Sequence, residues 1–191
     1  MRLDHAIYGT ADLDVATARV EAELGLPVHA GGHHVGQGTH NRIVPLGGGY
    51  LELLAVDDPE EAAASPIGAL LAERLPVERL IAYAVFTDDV HAVAQRLGTT
   101  LFTVKRGALE AYVTGVPEAL VEPFLPFFVG GNRGGPRPGE GGDAGGLTWI
   151  EVAGDEARLS DWLGGAELPI RVVAGAPAVR AIGIGERELR P

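Results

Sequence analysis

One local pattern occurs three times along this 191-residue chain. A short apolar run leads into an aspartate-containing helix start, then into apolar residues at helical spacing, and ends at a leucine–glycine pair. The apolar runs lie at 3–8, 80–86 and 147–152. Three such units at comparable intervals suggest internal duplication, although aspartate caps and glycine stops serve any helix.

Further strands are predicted after each helix. A glycine triplet at 47–49 favours a tight hairpin within the first unit. The predicted strands lie at 27–29, 39–46 and 50–56 in the first unit, at 99–104, 110–114 and 125–129 in the second, and at 168–173 and 179–184 in the third. The pattern is therefore βαβββ twice, followed by a shortened third unit.

We predict one domain over 1–191 with two distinctive connectors. The first contains a helix capped by Ser65 with Pro66 in its first turn. The second is rich in glycine and proline, a composition that predicts a long loop, either a lid or a solvated surface segment. The predicted segments are unit one at 1–58, the connector helix at 59–78, unit two at 79–130, the loop at 130–146 and the partial third unit at 147–187.

Composition excludes several functional classes. The formal net charge is −11, from 26 acidic and 15 basic residues, and such a field repels nucleic acid. The chain has no cysteine, so disulfides, thiolate metal sites and cysteine nucleophiles are excluded. No phosphate-binding loop or Rossmann glycine motif appears, so no nucleotide cofactor is expected. The apolar runs are too short to span a membrane, which favours a cytoplasmic protein.

Histidines are crowded near the start of the chain. Five of the six lie within the first forty residues, and the glycine-rich run at 31–41 holds three of them. Glu52 follows in the apolar stretch 50–54. Imidazoles with a buried carboxylate suit a divalent metal or a proton-transfer step. The alternative is a half-exposed strand with Glu52 facing water, because the glycine turn leaves the register uncertain by one residue.

Several short motifs occur in order along the chain. They are Leu3-Asp4-His5, Asp12-Leu13, the residues at 31–34 and 38–41, those at 46–47 and 50–53, and in the second unit those at 125–128. Together they resemble the glyoxalase-like domain group of the vicinal-oxygen-chelate superfamily. The resemblance implies an α+β fold in which tandem βαβββ units form curved mixed sheets, with helices on the outer face and a shortened third unit. It also implies a small-molecule ligand.

The resemblance also implies metal ligands. In metal-dependent members, ligands come from the first and last strands of each unit, and His5 and Glu52 match those positions. Zn, Fe, Mn or Ni would suit such ligands. The corresponding strands of the second unit carry neither histidine nor carboxylate. A third ligand would therefore have to come from His40, or from His34 or His33.

Other site residues are predicted from the same region. Glu52 and His34 are the candidate catalytic residues, and Asn41 and Thr39 are candidates for binding substrate. Neighbours in an extended chain point oppositely, so at most one of His33 and His34, and one of His40 and Asn41, faces a given pocket. Arg133 and Arg137 in the glycine-rich loop would either close over an anionic ligand or remain solvated.

Three function classes follow from these residues and the resemblance. The first is a metal-dependent lyase, isomerase or dioxygenase that acts on vicinal oxygens of a small substrate. The second is a metal-free protein that binds or sequesters a small molecule in the same groove. The third is a structural domain whose cleft is filled by its own side chains. Unsatisfied strand edges also favour a homodimer.

Overall fold

The computed structural model describes residues 1–106, 109–135 and 137–190, without the side chains of Arg106, Leu109, Asn132 and Arg133. Strands and helices follow the order that the three repeats predict, with an additional helix at 116–121 in the second unit and two helices in the connector. The elements are β1 (Arg2–Gly9), α1 (Leu13–Leu24), β2 (His29–His34), β3 (Thr39–Pro45), β4 (Tyr50–Val56), α2 (Pro59–Ala64), α3 (Pro66–Arg74), β5 (Arg79–Phe86), α4 (Val90–Leu97), β6 (Leu101–Arg106), β7 (Leu109–Thr114), α5 (Val116–Val121), β8 (Phe127–Arg133), β9 (Leu147–Ala153), α6 (Glu156–Leu163), β10 (Ile170–Val173), β11 (Ala178–Ile184) and β12 (Arg187–Leu189).

The first two units build one eight-stranded mixed sheet, in the order β2-β3-β4-β1-β5-β8-β7-β6. Within each unit the first strand pairs in parallel with the last, β1 with β4 and β5 with β8. The units meet where β1 and β5 pair antiparallel. The predicted α+β fold of tandem βαβββ units is therefore confirmed.

The helix ends show why the repeat pattern is readable in sequence. Asp12, Asp89 and Asp155 cap α1, α4 and α6, and each side chain accepts a hydrogen bond from the first turn. Each of these helices stops at a glycine in the left-handed region, where a side chain would be strained. In the connector, Ser65 caps α3 as predicted.

The third unit has a different pairing from the first two. Its sheet runs β10-β9-β11-β12, so both neighbours of the first strand, parallel β10 and antiparallel β11, belong to the same unit. In the first two units the antiparallel neighbour of the first strand comes from the other unit. The three-residue strand β12 was not expected from the sequence. Third-unit side chains such as Ile150 and Ile182 join Tyr83 and Phe128 in the larger core, together with the apolar faces of α1, α4 and α6.

The opposite face of the eight-stranded sheet has its own smaller apolar cluster. There Ile7, Leu54 and Ala82 pack with Leu71 of α3 and Leu120 of α5. Helices α3 and α5 thus pack on this face, whereas α1 and α4 pack on the face of the larger core. The structure also extends β8 to Arg133, so the glycine-rich segment without regular structure begins at Gly134. Among the helices in the described ranges, none is long and apolar enough to cross a membrane.

Tyr8 provides a test of the larger core. It is fully buried, donates a hydrogen bond to Glu78 and accepts one from Arg19. Burial raises the pKa of Tyr8 to about 12; the charge of Arg19 opposes this shift and that of Glu78 adds to it. Because the pKa of Tyr8 is higher in the folded chain than in the unfolded chain, the neutral side chain stabilises the fold. This contribution of about 2–3 kcal/mol to the free energy of unfolding is present below pH 10 and is lost as the pH rises towards 12.

We therefore expect the Tyr8→Phe variant to lose less stability than the wild type between pH 10 and 12. Urea unfolding at several pH values measures this difference. The two proteins should show the same pH slope between pH 7 and 9, where tyrosine does not titrate, and this range is the control. Equal slopes above pH 10 would contradict the assignment.

Candidate functional site

A cavity of about 890 Å³ lies on the face of the eight-stranded sheet opposite the larger core. Side chains from β1, β4, β5 and β8 line it, and α3 and α5 close it with apolar residues. The segment 137–142 and the glycine turn at 47–49 form part of its rim. The two glycine-rich stretches and the histidine-rich stretch of the sequence therefore meet at one cavity.

His5 is buried in the wall of this cavity, with 4% of its surface exposed. Its ring stacks on Tyr50, with centroids 4.3 Å apart, and meets the edge of Phe127 at 5.2 Å. Its Nδ1 lies 2.8 Å from Oδ2 of Asp4. Because a carboxylate accepts, Nδ1 carries the hydrogen in neutral His5, which leaves the Nε2 lone pair available.

A β-bulge makes this contact between adjacent residues possible. In the pairing of β1 with β5, Leu3 faces Val85 and His5 faces Ala84, so Asp4 is an extra residue. The bulge turns Asp4 and His5 to the same side of the sheet. Burial alone would raise the pKa of Asp4, but the hydrogen bond from His5, the electrostatic interaction with His5 and the positive charges of Arg2 and Arg137 together lower it.

Glu52 lies in β4 and faces the cavity, so the half-exposed alternative is wrong. Only 7% of its surface is exposed. Tyr50, Glu52 and Leu54 line the cavity, whereas Leu51 and Leu53 enter the larger core. Oε2 of Glu52 is 3.9 Å from Nε2 of His5, too far for a hydrogen bond. Two hydrogen-bond acceptors, Nε2 of His5 and Oε2 of Glu52, therefore face the same part of the cavity.

Asn41 fixes the other oxygen of Glu52. Its amide nitrogen donates to Oε1 of Glu52 and to Nε2 of His34, the latter at 3.1 Å. The backbone N–H of Gly32 donates to Oδ1 of Asn41 at 2.9 Å, which sets the orientation of the amide. Nδ1 of His34 then donates to Oγ1 of Thr39 at 3.0 Å. These bonds position Glu52 from the side opposite His5.

Two predicted residues have other surroundings. Thr39 is fully buried and lies outside the cavity lining, so it holds His34 rather than substrate. His40 also lies outside the lining, with Nδ1 3.7 Å from Oδ1 of Asp57. His40 is opposite His33 in the β2–β3 register, and His33 bonds the same carboxylate. Alternation along β3 therefore separates His40 from His5 and Glu52.

The predicted metal site does not fit these residues. Within the described ranges, no group of three or more histidine, cysteine, aspartate or glutamate side chains is arranged to hold a metal ion. The amide of Asn41 donates to Nε2 of His34, so it occupies the lone pair with which that imidazole would bind a metal. Neither His40 nor any other described residue completes a triad with His5 and Glu52.

The structure places the side chain of only one of the two predicted arginines. Arg137 lines the cavity, and its Cζ lies 4.6 Å from the centroid of the Phe86 ring. The side chain of Arg133 lies outside the described part of the structure, so its predicted role stays a prediction.

The segment that carries Arg137 is joined to unit one by backbone contacts. The N–H of Gly47 donates to the carbonyl of Gly139 at 3.2 Å, and the N–H of Gly146 donates to that of Leu46 at 2.8 Å. A Cβ on Gly142 would lie 2.2 Å from the carbonyl oxygen of Pro45, closer than atoms can approach. Glycine is thus required where this segment meets the turn at 47–49.

Sequence reasoning missed several residues of the site. Asp4 directly precedes His5 in the first motif. Alternation along a strand places neighbouring side chains on opposite faces of the sheet, and no sequence signal marks the bulge that places both on one face. Gly31 was noted only as part of a glycine-rich run. A Cβ there would lie 1.9 Å from Oδ1 of Asn41, so the site needs glycine at this position.

Comparison with known proteins places this geometry in context. The family described as glyoxalase-like domain matches residues 3–164. A hypothetical protein from Staphylococcus aureus superposes with a TM-score of 0.67 at 15% identity, covering 99% of this chain and 97% of its own. Two variants of methylmalonyl-CoA epimerase from Streptomyces coelicolor, in complex with 2-nitronate-propionyl-CoA, give TM-scores of 0.51 and 0.50. The first is 23% identical and covers 71% of this chain and 99% of its own length. The second is 25% identical and covers 68% of this chain and 96% of its own length. No curated protein matches the sequence significantly.

Proposed function

Because the chain belongs to the glyoxalase-like domain family of the vicinal-oxygen-chelate superfamily, we propose that it is an enzyme that moves a proton at a carbon next to a carbonyl group of a small molecule. The observation that supports this most strongly is the pair of facing acceptors, Nε2 of His5 and Oε2 of Glu52, 3.9 Å apart in the cavity wall. Two acceptors without a hydrogen between them can share a substrate proton.

His5 acts as the general base in this proposal. Its Nε2 removes the proton, and the carboxylate of Asp4 stabilises the imidazolium that forms and fixes which nitrogen is free. Glu52 stabilises the same imidazolium from the other side and exchanges the proton with it. Asn41 and His34 hold Glu52 in place, so they are positioning residues, although sequence reasoning made His34 catalytic.

The proposal covers isomerase and lyase reactions, since both can begin with loss of a proton next to a carbonyl. Dioxygenase chemistry on this scaffold uses a metal centre. The described residues bring no set of three ligands together, so the dioxygenase and the metal-dependent versions of the function are not part of the proposal.

Solvent exchange tests the proposal. The protein is incubated in D₂O with 2-oxo acids, aldehydes and acyl thioesters, and mass spectrometry follows deuterium entering the carbon next to the carbonyl. We expect enzyme-dependent exchange with at least one class, lowered about 100-fold or more by Glu52→Gln. Glu61→Gln is the matched control, because Glu61 bonds His33 away from the pair. Exchange unaffected by Glu52→Gln would overturn the assignment.

Binding without chemistry is the second candidate, and the apolar side chains that line the cavity favour it. A protein that sequesters a small molecule would bind these compounds and catalyse no exchange. In either function we propose a homodimer through an end strand of the large sheet, β2 or β6, where backbone groups remain open to pairing.

A further inference from the structure

Two guanidinium groups flank one aromatic ring at the cavity. Cζ of Arg2 lies 3.8 Å and Cζ of Arg137 lies 4.6 Å from the centroid of Phe86, and both arginines line the cavity. Stacking on a ring leaves the N–H donors in the guanidinium plane free to bind an oxygen anion. In the part of the chain that the structure describes, neither guanidinium forms an ion pair within 4.0 Å.

The carboxylates of the cavity leave these two guanidiniums available. Asp4 is close enough to both arginines for them to lower its pKa, but its carboxylate is bonded to His5. Glu140 lines the rim in the same segment as Arg137, and no ion pair joins either carboxylate to Arg2 or Arg137 within the described residues. The other cation of the lining, Lys105, is paired with Glu110 at 3.1 Å and is largely exposed. Arg2 and Arg137 are therefore the cations of the lining whose N–H donors are open to an anion.

Strand register fixes the order of groups along the cavity. On β1 and β5, Arg2 pairs with Phe86, then His5 with Ala84, then Ile7 with Ala82. Beyond Ile7 and Ala82 the cavity is closed by apolar side chains of α3 and α5. From Arg2 to Ile7 an extended strand spans roughly 15 Å. The cavity therefore has a cationic end, the His5–Glu52 pair in the middle and an apolar end.

From this order we infer that the substrate is an amphiphilic anion. Its carboxylate or phosphate binds Arg2 and Arg137, its apolar chain lies between the sheet and α3 and α5, and its carbonyl-bearing carbon lies beside His5 and Glu52. The position of the reacting carbon depends on the proposed function; the anion subsite does not.

Binding of simple probes tests the subsite. Calorimetry compares octanoate, octyl phosphate and octanol, which share one apolar chain. We expect at least one of the two anions to bind more tightly than octanol, and the more tightly bound one identifies the natural group. Arg2→Gln and Arg137→Gln should each weaken that anion about tenfold and leave octanol unchanged. Arg171→Gln is the control, since Arg171 stacks on Trp149 in the third unit at 4.4 Å.

The outcomes separate this inference from the proposed function. Arginine-dependent binding without any solvent exchange would support the subsite and contradict the enzyme. Any of three results would overturn the subsite. These are equal binding of octanol and both anions, no binding of any probe, and an anion affinity that is unchanged in both arginine variants.

Discussion

The His5→Gln variant is expected to lose solvent exchange by a factor of about 10² to 10⁴, the usual contribution of a general base. Glutamine fills much of the same space but cannot accept a substrate proton. His40→Gln is the matched control, because His40 lies in the same unit but outside the cavity lining, with Nδ1 3.7 Å from Oδ1 of Asp57. The exchange assay measures both variants, and urea unfolding checks that each is folded. Solvent exchange that is unaffected by His5→Gln would contradict the role of His5 as the general base.

Asp4→Asn belongs to the same prediction. It should lower exchange less than His5→Gln does, because the base remains but its orientation and its counter-charge are lost.

Since folding lowers the pKa of Asp4, this carboxylate stabilises the fold above its ordinary pKa, and that stability is lost as the pH falls through the lowered value. The variant should therefore lose less stability than the wild type on acidification.

The second large effect is expected from a methyl group at Gly31. In Gly31→Ala the new Cβ would lie 1.9 Å from Oδ1 and 2.2 Å from the carbonyl oxygen of Asn41. The strands must move apart, which costs about 1–3 kcal/mol, and Asn41 must release Glu52. We expect lower stability by urea unfolding and exchange reduced about tenfold or more.

Gly32→Ala is a control one residue away. A Cβ at Gly32 would meet no heavy atom within 4 Å, and its N–H still bonds Asn41. Stability and exchange should both stay within a small factor of the wild type. If the two alanine variants behaved alike, the contact between Gly31 and Asn41 would not be what holds Glu52.

The fold was predictable because its signals are local. Asp12 and Gly25 mark the ends of α1 as Asp155 and Gly164 mark those of α6, and capping is a short-range interaction. The family resemblance added the arrangement of two units in curved mixed sheets. It implied no strand order for the third unit, whose first strand pairs with two strands of its own unit.

The site was predictable in part for the same reason. His5 and Glu52 stand in quoted motifs, and the structure brings them together in one cavity wall. Asp4 was missed because a β-bulge is not visible in a period of two. His40 was predicted as one of the possible third ligands. Alternation lets only one of His40 and Asn41 face the cavity, and the structure shows that it is Asn41. Arg2 and Phe86 lie 84 positions apart, and only the β1–β5 register brings them together.

The glycine contacts at the rim have a consequence for how such a protein can diversify. The segment at 137–142 is attached to the turn at 47–49 through main-chain atoms. The side chains that it presents to the cavity, Arg137 and Pro138 among them, contribute nothing to the hydrogen bonds of that attachment. Ligand preference can therefore change at these positions while the anchoring glycines and the strands that carry His5 and Glu52 stay unchanged.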